Sequence, residues 1–367
     1  MTVLTPHSAG LAEAWEDEEV VVRTFRYAPE RHEVLGYGRS LNADERVRLA
    51  AGLVAPFYLL AARRAMRREL GRRRYDLLHA HWVVPNGLAA APLADRLPVG
   101  VGLHGSDVFM AEKPGVRAWT GRALGRSRFL TGCSPELVER VCALGFPAER
   151  ATVIPYGVDT EAFSPDASRR GVWRRRLGIP AEAVLALSVG RMVTKKGYQV
   201  LLPVLPEVLE RHPDLHVVLA GAGDRLEELR AAAAPWEGRI HLPGIVLRDT
   251  LPDLYRAADL FVLPAVHDAK GNVDGLPNVV LEAMASGVPV LASRISGIPL
   301  AVEDGVHGRL VPEGDGGALA AALEGLAVDG RARRTMGCAA RERAVRELTW
   351  DAVASRYRAA YERALAS

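Results

Sequence analysis

Two stretches of this chain place charged residues where an apolar run gives way to a helix. In the first, SVGRMVTKKG, Arg191 and Lys196 lie five positions apart in a short loop bounded by Gly190 and Gly197. Cations beside the free N–H groups of a helix N-terminus form a cradle for a diphosphate. The chain has four lysines, and two of them are in this loop, although arginine is its usual cation. The pattern predicts a diphosphate site, and a solvated basic loop is the alternative that this stretch leaves open.

The second stretch, NVDGLPNVVLEAMASG, carries Asp274 and Glu282 at the two ends of a loop-to-helix junction. Proline and glycine predict that the helix begins at Pro277 or Asn278 and ends at Gly287. Asp274 can reach sugar hydroxyls or cap the helix, whereas Glu282, one turn in, can accept both hydroxyls of a ribose. A lone acid among apolar neighbours, as Glu282 is, needs a partner. We expect free N–H groups for an anionic or hydroxyl-rich ligand at Gly275, Leu276 and Asn278.

Polar residues also end two apolar runs in the first half of the chain. VGLHGSD contains His104 and Asp107, and HAHWVVPNG contains His79, His81 and Asn86. A histidine at the carboxyl end of a parallel strand lies where ligands bind, although a lone histidine is more often structural than catalytic. The spacing of His79 and His81 leaves a zinc pair open, but no third ligand is apparent. We therefore favour contacts with a bound substrate for His81, Asn86 and Asp107.

These loops have to be held by strands, and nine near-continuous apolar runs provide them. Amphipathic segments lie between the runs, which is typical of parallel sheets with helices on both faces. Two series of such units predict an α/β protein with two Rossmann-like domains. The predicted strands are residues 76–81, 99–105, 128–134, 151–157, 183–190, 215–221, 239–244, 259–265 and 288–293.

A polar, turn-rich segment at residues 159–171 separates the two series of strands. We place the first domain at residues 1–165 and the second at 166–349, followed by an amphipathic helix at 350–367 that can pack back on the first domain. Ligands of open α/β sheets bind beyond the carboxyl ends of the strands. The expected site is therefore a cleft across which the two domains face each other.

The charged stretches together resemble a known family. GRMVTKKG and DGLPNVVLEAMASGVPVLAS are similar to the donor half of the family 4 retaining glycosyltransferases, which have the GT-B fold. CSPELVERV, VIPYGVDTEAFSP and FVLPA are also family segments in the expected order, so the resemblance covers nearly the whole chain. The first acid of the family pattern is usually glutamate. Asp274 keeps the negative charge of that glutamate, but its side chain is one methylene shorter.

That resemblance implies transfer of a sugar from a nucleotide diphosphate sugar to a glycolipid or polysaccharide precursor, with retention of the anomeric configuration. By the same resemblance, Arg191 and Lys196 hold the diphosphate and stabilise the leaving group, and Glu282 binds the ribose. Asp274 contacts the donor sugar, and His104 in HGSD lies beside it. His81, Asn86 and Asp107 lie on the acceptor side. No D-x-D occurs in the sequence, and the resemblance implies neither a metal nor a cofactor. The implied catalytic residues are His104, Arg191, Lys196 and Asp274, and the implied donor-binding residues are Gly190, Arg191, Lys196, Asp274, Gly275, Leu276, Asn278 and Glu282.

Other enzyme classes have less support in the motifs. No G-x-x-x-x-G-K-[ST] occurs, and GAGDRLEE, which does not complete G-x-G-x-x-G, is interpreted as a plain turn, so P-loop and dinucleotide chemistry are disfavoured. Two alternatives to a transferase stay open: a sugar-nucleotide epimerase of the same fold, and a degenerate, non-catalytic sugar-nucleotide-binding protein. Because no carboxylate is placed by motif as a covalent nucleophile, we expect the acceptor to attack the leaving-group face.

Composition bounds the remaining function classes. The 367 residues carry a net charge of +3, which is too small to indicate nucleic acid as a partner. The three cysteines, Cys133, Cys142 and Cys338, match no disulfide or metal framework, which favours a reducing cytoplasm. No apolar run reaches the ~18 residues that a membrane-spanning helix needs.

One segment indicates contact with a membrane surface. Residues 57–74, FYLLAARRAMRRELGRRR, contain seven arginines and one acid after an apolar start. A basic amphipathic helix can lie on anionic lipid, which predicts a peripheral protein on the inner face of the membrane. An arginine-rich surface helix is the alternative.

The beginning of the chain departs from the family pattern. MTVLTPHSAG is typical of the second strand of a Rossmann-like domain, not of the first. We expect that a first βα unit with its Gly-rich loop is missing, which would leave a gap in the sheet because the first strand is central. This hypothesis predicts an in-frame upstream segment with a strand, a Gly-Gly loop and a helix.

Overall fold

The computed structural model describes residues 1–36 and 45–366, with the side chains of the first helix described from residue 52 onward. By its contacts the chain divides into two compact units. The predicted α/β architecture with parallel sheets in two units is confirmed. The domain limits predicted from the sequence, 1–165 and 166–349, stay a prediction. The first unit comprises Met1–Gly132, Val138–Thr152 and Ala360–Ser367, and the second comprises Cys133–Leu137 and Val153–Ala359.

The strands described in the first unit form two separate sheets. In the three-stranded sheet, β3 lies between β1, which is parallel to it, and β2, which is antiparallel. The four-stranded sheet has the order β4-β5-β6-β7, and β5 is parallel to both of its neighbours. The strands are β1 (Thr2–Pro6), β2 (Ala14–Asp17), β3 (Val20–Phe25), β4 (Leu78–His81), β5 (Val99–Leu103), β6 (Phe129–Gly132) and β7 (Ala151–Val153).

The first helix, α1, buries a narrow apolar stripe. Its buried residues Tyr58, Ala62 and Met66 recur every four positions, as expected for one face of a helix. They share a core with Leu93 and with Val99 of β5. The helices are α1 (Glu45–Arg72), α2 (Leu88–Ala90), α3 (Ser106–Ala111), α4 (Pro114–Gly125) and α5 (Pro135–Cys142).

The second unit is built on one six-stranded sheet in which every paired strand is parallel. Its order is β10-β9-β8-β11-β12-β13, so the chain moves outward on one side of β8 and then returns to start again at β11. Such a reversal between neighbouring strands is the topological switch point where open α/β sheets bind ligands. The strands are β8 (Val184–Val189), β9 (Leu215–Ala220), β10 (Ile240–Gly244), β11 (Leu260–Leu263), β12 (Val290–Ser293) and β13 (Gly308–Val311).

Helices follow most strands of this sheet, and a large apolar core lies between them and the sheet. None of the helices in the described part of the chain is long and apolar enough to cross a membrane. The remaining helices are α6 (Gly171–Leu177), α7 (Tyr198–Leu201), α8 (Leu205–Arg211), α9 (Leu226–Ala233), α10 (Leu251–Ala257), α11 (Asn278–Ala285), α12 (Ile298–Ala301), α13 (Gly316–Val328), α14 (Gly330–Glu347) and α15 (Trp350–Ala366).

Candidate functional site

The loops that leave β8 and β11 are tied together by their backbones. The first contains a short 3₁₀ turn, Thr194–Lys196, and the main-chain N–H of Val266 in the second donates to the carbonyl of Lys195 at 3.1 Å. Gly197 has a φ of 76°, and a Cβ there would lie 1.6 Å from the carbonyl oxygen of Pro264. Only glycine allows this approach, so both loops meet at the switch point in one fixed arrangement.

The loop that carries Arg191 is also supported from behind, by the GAG segment after β9. A Cβ on Gly221 would lie 1.9 Å from the carbonyl oxygen of Gly190, and one on Gly223 would lie 2.5 Å from that of Met192. Arg191 itself is exposed. The segment interpreted from the sequence as a plain turn therefore holds the Arg191 loop by close backbone contact.

An ion cluster lies where these two loops meet. Lys195 Nζ is 2.5 Å from Oδ1 of Asp274, and Lys196 Nζ is 2.8 Å from Oδ2. Burial alone would raise the pKa of Asp274, but the charges of Lys196 and Lys195 outweigh it and hold the pKa well below its usual value. The structure thus brings Lys196 and Asp274 together as an ionised pair, and it adds Lys195, which the motif analysis did not single out.

The helix after this cluster begins and ends as predicted. The cap of α11 is Pro277, and the main-chain N–H groups of Gly287 and Val288 donate to the carbonyls of Met284 and Ala283, both at 3.0 Å. Gly287 has a φ of 73°, which is the left-handed conformation of a helix terminator. The first N–H groups of a helix have no acceptor within it, and Gly275, Leu276 and Asn278 lie at this end.

Glu282, on α11, has the partner that its apolar surroundings require. The hydroxyl of Tyr255, a fully buried residue on α10, donates to Oε2 of Glu282 at 2.7 Å. Burial raises the pKa of Glu282, while the bond from Tyr255 and the charge of Lys196 oppose that rise. Burial also raises the pKa of Tyr255 well above its usual value, so its hydroxyl stays a donor. Tyr255 therefore orients the carboxylate of Glu282.

Three histidines of the first unit, His79, His81 and His104, form a second cluster at the ends of β4 and β5. His81 Nδ1 and His104 Nε2 share a hydrogen bond at 2.9 Å. Burial lowers the pKa of both His81 and His104 to about 4, so both rings are neutral at pH 7. The two nitrogens of His79 contact the hydroxyls of Tyr361, at 2.9 Å, and Thr131, at 3.2 Å. Within residues 1–36 and 45–366, no group of three or more His, Cys, Asp or Glu side chains is arranged to hold a metal ion.

Two residues predicted to contact the acceptor hold the histidine loops in place. Asp107 is 2% exposed, and its carboxylate accepts main-chain N–H bonds from Val83, His104 and Gly105 at 2.9–3.0 Å. The side-chain amide of Asn86 donates to the carbonyl of His81 at 2.9 Å. Both residues are therefore bonded to the segments that present His81 and His104.

Sequence signals existed for some of the residues that were missed. Lys195 stands next to Lys196 in a chain poor in lysine, and Tyr255 is a polar-tipped residue among apolar positions of a short helix. Nothing in their spacing indicated which carboxylate each would contact, because both contacts cross between separate elements.

Comparison with known families assigns most of the chain. Residues 5–162 match the family model described as Glycosyltransferase Family 4, and residues 183–329 match the one described as Glycosyl transferases group 1.

Curated relatives agree with these matches. The GDP-mannose-dependent alpha-(1-6)-phosphatidylinositol monomannoside mannosyltransferase of Mycolicibacterium smegmatis is 32% identical over 311 residues, which is 83% of this chain and 80% of that protein. The D-inositol 3-phosphate glycosyltransferase of Corynebacterium diphtheriae is 32% identical over 78% of this chain and 70% of its own length.

Solved structures share the fold at lower sequence identity. Sucrose-phosphate synthase from Thermosynechococcus elongatus has a TM-score of 0.79 and 21% identity, covering 100% of this chain and 89% of that one. Anabaena HepE in complex with UDP has a TM-score of 0.71 and 21% identity, covering 93% and 86%. The fold is therefore GT-B, and this chain belongs to the family 4 glycosyltransferases.

Proposed function

We propose that this glycosyltransferase moves a sugar from a nucleotide diphosphate sugar to a glycolipid or polysaccharide precursor, with retention of the anomeric configuration. The observation that carries the proposal is the ion cluster at the switch point of the second sheet. There Lys196 lies 2.8 Å from Asp274, and its charge also acts on Glu282, one turn into α11. One cation between two carboxylates suits a ligand with a diphosphate in the middle and hydroxyls at both ends.

Each residue of the cluster has a role in this proposal. Arg191 and Lys196 neutralise the departing diphosphate, together with the free N–H groups at the start of α11. Glu282, held by Tyr255, accepts the two ribose hydroxyls. Asp274 accepts a hydroxyl of the donor sugar. Backbone N–H groups of Gly275, Leu276 and Asn278 complete the donor site. Gly190, whose own N–H donates to the carbonyl of Ala220 at 3.0 Å, lies beside the diphosphate.

The first unit contributes His104 and His81. A neutral imidazole can accept a hydrogen bond from a sugar hydroxyl or donate one to it without adding charge. Burial keeps both rings neutral at pH 7. We assign His104 to the donor sugar and His81 to the acceptor, with Asp107 and Asn86 holding their loops. Retention follows from attack on the face that the diphosphate leaves.

The positive field of the proposed mechanism comes from side chains and helix N–H groups, so it requires no metal ion and no cofactor. Activity that is unchanged by EDTA is the expected result. Activity that depends on added Mg²⁺ or Mn²⁺ would contradict this part of the proposal.

The test of the whole proposal starts with thermal shifts against sugar nucleotides, since a bound ligand raises the melting temperature. UDP-glucose and GDP-mannose are suitable first members of the panel, because HepE binds UDP and the mycobacterial relative uses GDP-mannose. Transfer to a lipid or saccharide acceptor is then measured with the donor that binds, and the anomeric configuration of the product is determined.

Exchanging Lys196 for alanine should lower turnover by about a thousandfold, because the leaving group loses a buried cation. Lys113→Ala, at an exposed lysine before α4, is the matched control and should retain normal turnover. Circular dichroism verifies that both variants fold. A folded Lys196→Ala variant with near-normal turnover would contradict the assignment of Lys196 to the departing diphosphate. An epimerised donor as the sole product would indicate a sugar-nucleotide epimerase instead.

We also propose that α1 docks on an anionic membrane at the cytoplasmic face. Leu53, Phe57 and Leu60 are 75%, 62% and 60% exposed, and the exposed residues Arg64 and Arg68 continue the same stripe. Apolar side chains next to a run of arginines complement the acyl boundary and the phosphates of anionic lipid.

Co-sedimentation with vesicles that contain phosphatidylglycerol measures this docking. We expect binding that weakens with salt and is lost in the double variant Arg64→Glu, Arg68→Glu. The pair Arg331→Glu, Arg334→Glu, at exposed arginines of α14, is the charge-matched control. Equal loss in both pairs, or no binding by the wild-type protein, would remove the membrane proposal.

A further inference from the structure

Two ammonium groups engage the single carboxylate of Asp274, one on each oxygen. Lys195 Nζ lies 2.5 Å from Oδ1 and Lys196 Nζ lies 2.8 Å from Oδ2. The three side chains are mostly buried, with 12% of Lys195, 10% of Lys196 and 22% of Asp274 exposed. Charged hydrogen bonds in such a partly dry site are short and strong. The cluster holds one positive charge more than its carboxylate needs.

The two lysines have different further neighbours. Lys196 passes beside Gly190, where its Cε would be 3.3 Å from a Cβ, and its charge acts on Glu282. Lys195 acts instead on Asp268, an acid of the same loop as Asp274. Both lysines contact Asp274, but Lys196 also faces Gly190 and Glu282, whereas Lys195 also faces Asp268.

The main chain keeps Lys195 in this place. Its carbonyl accepts the N–H of Val266 at 3.1 Å, and Gly197 packs against Pro264 at a distance that no side chain would permit. The loop of Asp274 is ordered as well, because the Asp268 carboxylate accepts the main-chain N–H of Lys270 at 2.8 Å and that of Asn272 at 2.9 Å. Two rigid backbones thus set the contact between Lys195 and Asp274.

We propose that Lys195 is a positioning residue for the donor sugar, which holds Asp274 ionised and oriented while Lys196 turns to the donor diphosphate. The inference rests on the proposed function. A diphosphate carries more negative charge than Asp274, and it draws the lysine that already lies beside Gly190. Without Lys195, a mostly buried carboxylate would then have no cation, and burial would favour its protonated form. A protonated or rotated Asp274 accepts the sugar hydroxyl poorly.

The experiment separates the sugar end of the donor from its diphosphate end. In the full chain with Lys195→Met, the Kd for UDP or GDP, whichever the wild-type protein binds, should stay within about threefold. The value of kcat/KM for the matching sugar nucleotide should fall by about 30-fold, because only the sugar contact is impaired. Lys195→Arg, which restores a cation, should recover most of that loss.

A double-mutant cycle tests whether Lys195 acts through Asp274. In the Asp274→Asn background, Lys195→Met should cost no more than about twofold in kcat/KM, since the carboxylate that it positions is gone. A second full loss would overturn the inference. Equal weakening of UDP or GDP binding would also overturn it, because Lys195 would then be a third diphosphate ligand.

Failure of the inference is distinguishable from failure of the proposed function. A wild-type protein that transfers sugar normally, together with an unimpaired Lys195→Met variant, contradicts the inference alone. A wild-type protein that binds neither diphosphate nor sugar nucleotide contradicts the proposed function and the inference with it. If Lys195→Met does not fold, Lys195→Gln, which keeps a polar chain of similar length, takes its place in both measurements.

Discussion

At the ends of β8 and β11 the second unit gathers charges, whereas at the ends of β4 and β5 the first unit gathers neutral rings. Lys195 and Lys196 lie within 2.8 Å of Asp274, and their charges hold the pKa of that carboxylate well below its usual value. His81 and His104 have pKa values lowered to about 4 by burial, and they share one hydrogen bond. The carboxyl ends of the strands thus carry charged side chains in the second unit and neutral rings in the first.

The difference matches what each region is proposed to bind. A diphosphate needs compensating charge, and a cluster with one excess cation provides it before the ligand arrives. Sugar hydroxyls can also be bound by uncharged donors and acceptors, which neutral imidazoles provide. The charged region also needs closer backbone support, because misplaced buried charges cost more than misplaced neutral groups.

The largest expected effect comes from forcing the charged loops apart. Gly197→Ala places a Cβ 1.6 Å from the Pro264 carbonyl at a φ of 76°, and it should lower the free energy of unfolding by at least ~3 kcal/mol in urea titrations. Gly102→Ala, in the first unit, meets the His81 ring at 2.9 Å, and a ring can turn aside, so its loss should be smaller.

Gly178→Ala is the control for these two glycines. It has a φ of 67° but no atom within 4 Å of the added Cβ, so it should cost about 1 kcal/mol from backbone conformation alone. Equal losses for Gly197→Ala and Gly178→Ala would mean that the contact between the two loops is not rigid. The contrast between the charged and neutral regions would then lose its structural basis.

A smaller effect is expected where the charged region depends on a neutral donor. Tyr255→Phe removes the 2.7 Å bond to Glu282 and should weaken binding of the nucleoside diphosphate by about tenfold, since a hydrogen bond to a charged group contributes roughly 1.5–3 kcal/mol. Preference for UDP or GDP over the 2′,3′-dideoxy form should fall as well, because Glu282 is proposed to bind the ribose.

Tyr75→Phe is the matched control for Tyr255. Its hydroxyl contacts Thr2 Oγ1 at 2.8 Å and Glu69 Oε2 at 3.5 Å in the first unit, so the variant loses a tyrosine hydroxyl without touching the donor site. Calorimetry with both nucleotide forms distinguishes the two variants. A Tyr255→Phe variant that binds more weakly but keeps its full ribose preference would show that Tyr255 supports the fold and does not orient Glu282.

The sequence predicted the parts of the fold that repeat a simple pattern. All nine apolar runs contain strands, and α11 lies where proline and glycine placed it. Two kinds of strand were missed. β2 and β3 are joined by an acid-rich turn with Glu18 at a φ of 50°, and in β3 three valines are followed by Arg23 and Thr24. β13 has four residues with Arg309 exposed, so both kinds offer only a short apolar run.

Residues of the candidate site could be proposed from the sequence where a motif is local, whereas contacts that cross between elements could not. Arg191, Lys196, Asp274 and Glu282 could be named because each lies in a turn or within the first turns of a helix. The pairing of Lys195 with Asp274, the bond from Tyr255 to Glu282 and the support of Gly190 by Gly221 join residues 27 to 79 positions apart. Such contacts depend on strand order, which the spacing of residues does not encode.

The smallest expected effect separates the two regions by pH. Burial lowers the pKa of His104 from 6.5 to about 4, so below pH 6.5 the unfolded chain binds a proton that the folded chain does not, and stability falls as the pH drops toward 4. The pKa of Asp274 is held below its usual 3.8, so its contribution to stability is complete above about pH 4 and is lost only below it.

Melting temperatures between pH 7 and 4.5 should therefore decline less steeply in His104→Gln than in the wild-type protein, while Asp274→Asn keeps the wild-type slope. Because burial also lowers the pKa values of His216 and His241, the comparison is of slopes between variants. A flatter slope in Asp274→Asn than in His104→Gln would mean that the charged region titrates in this range and that the assignment of neutral and ionised groups is reversed.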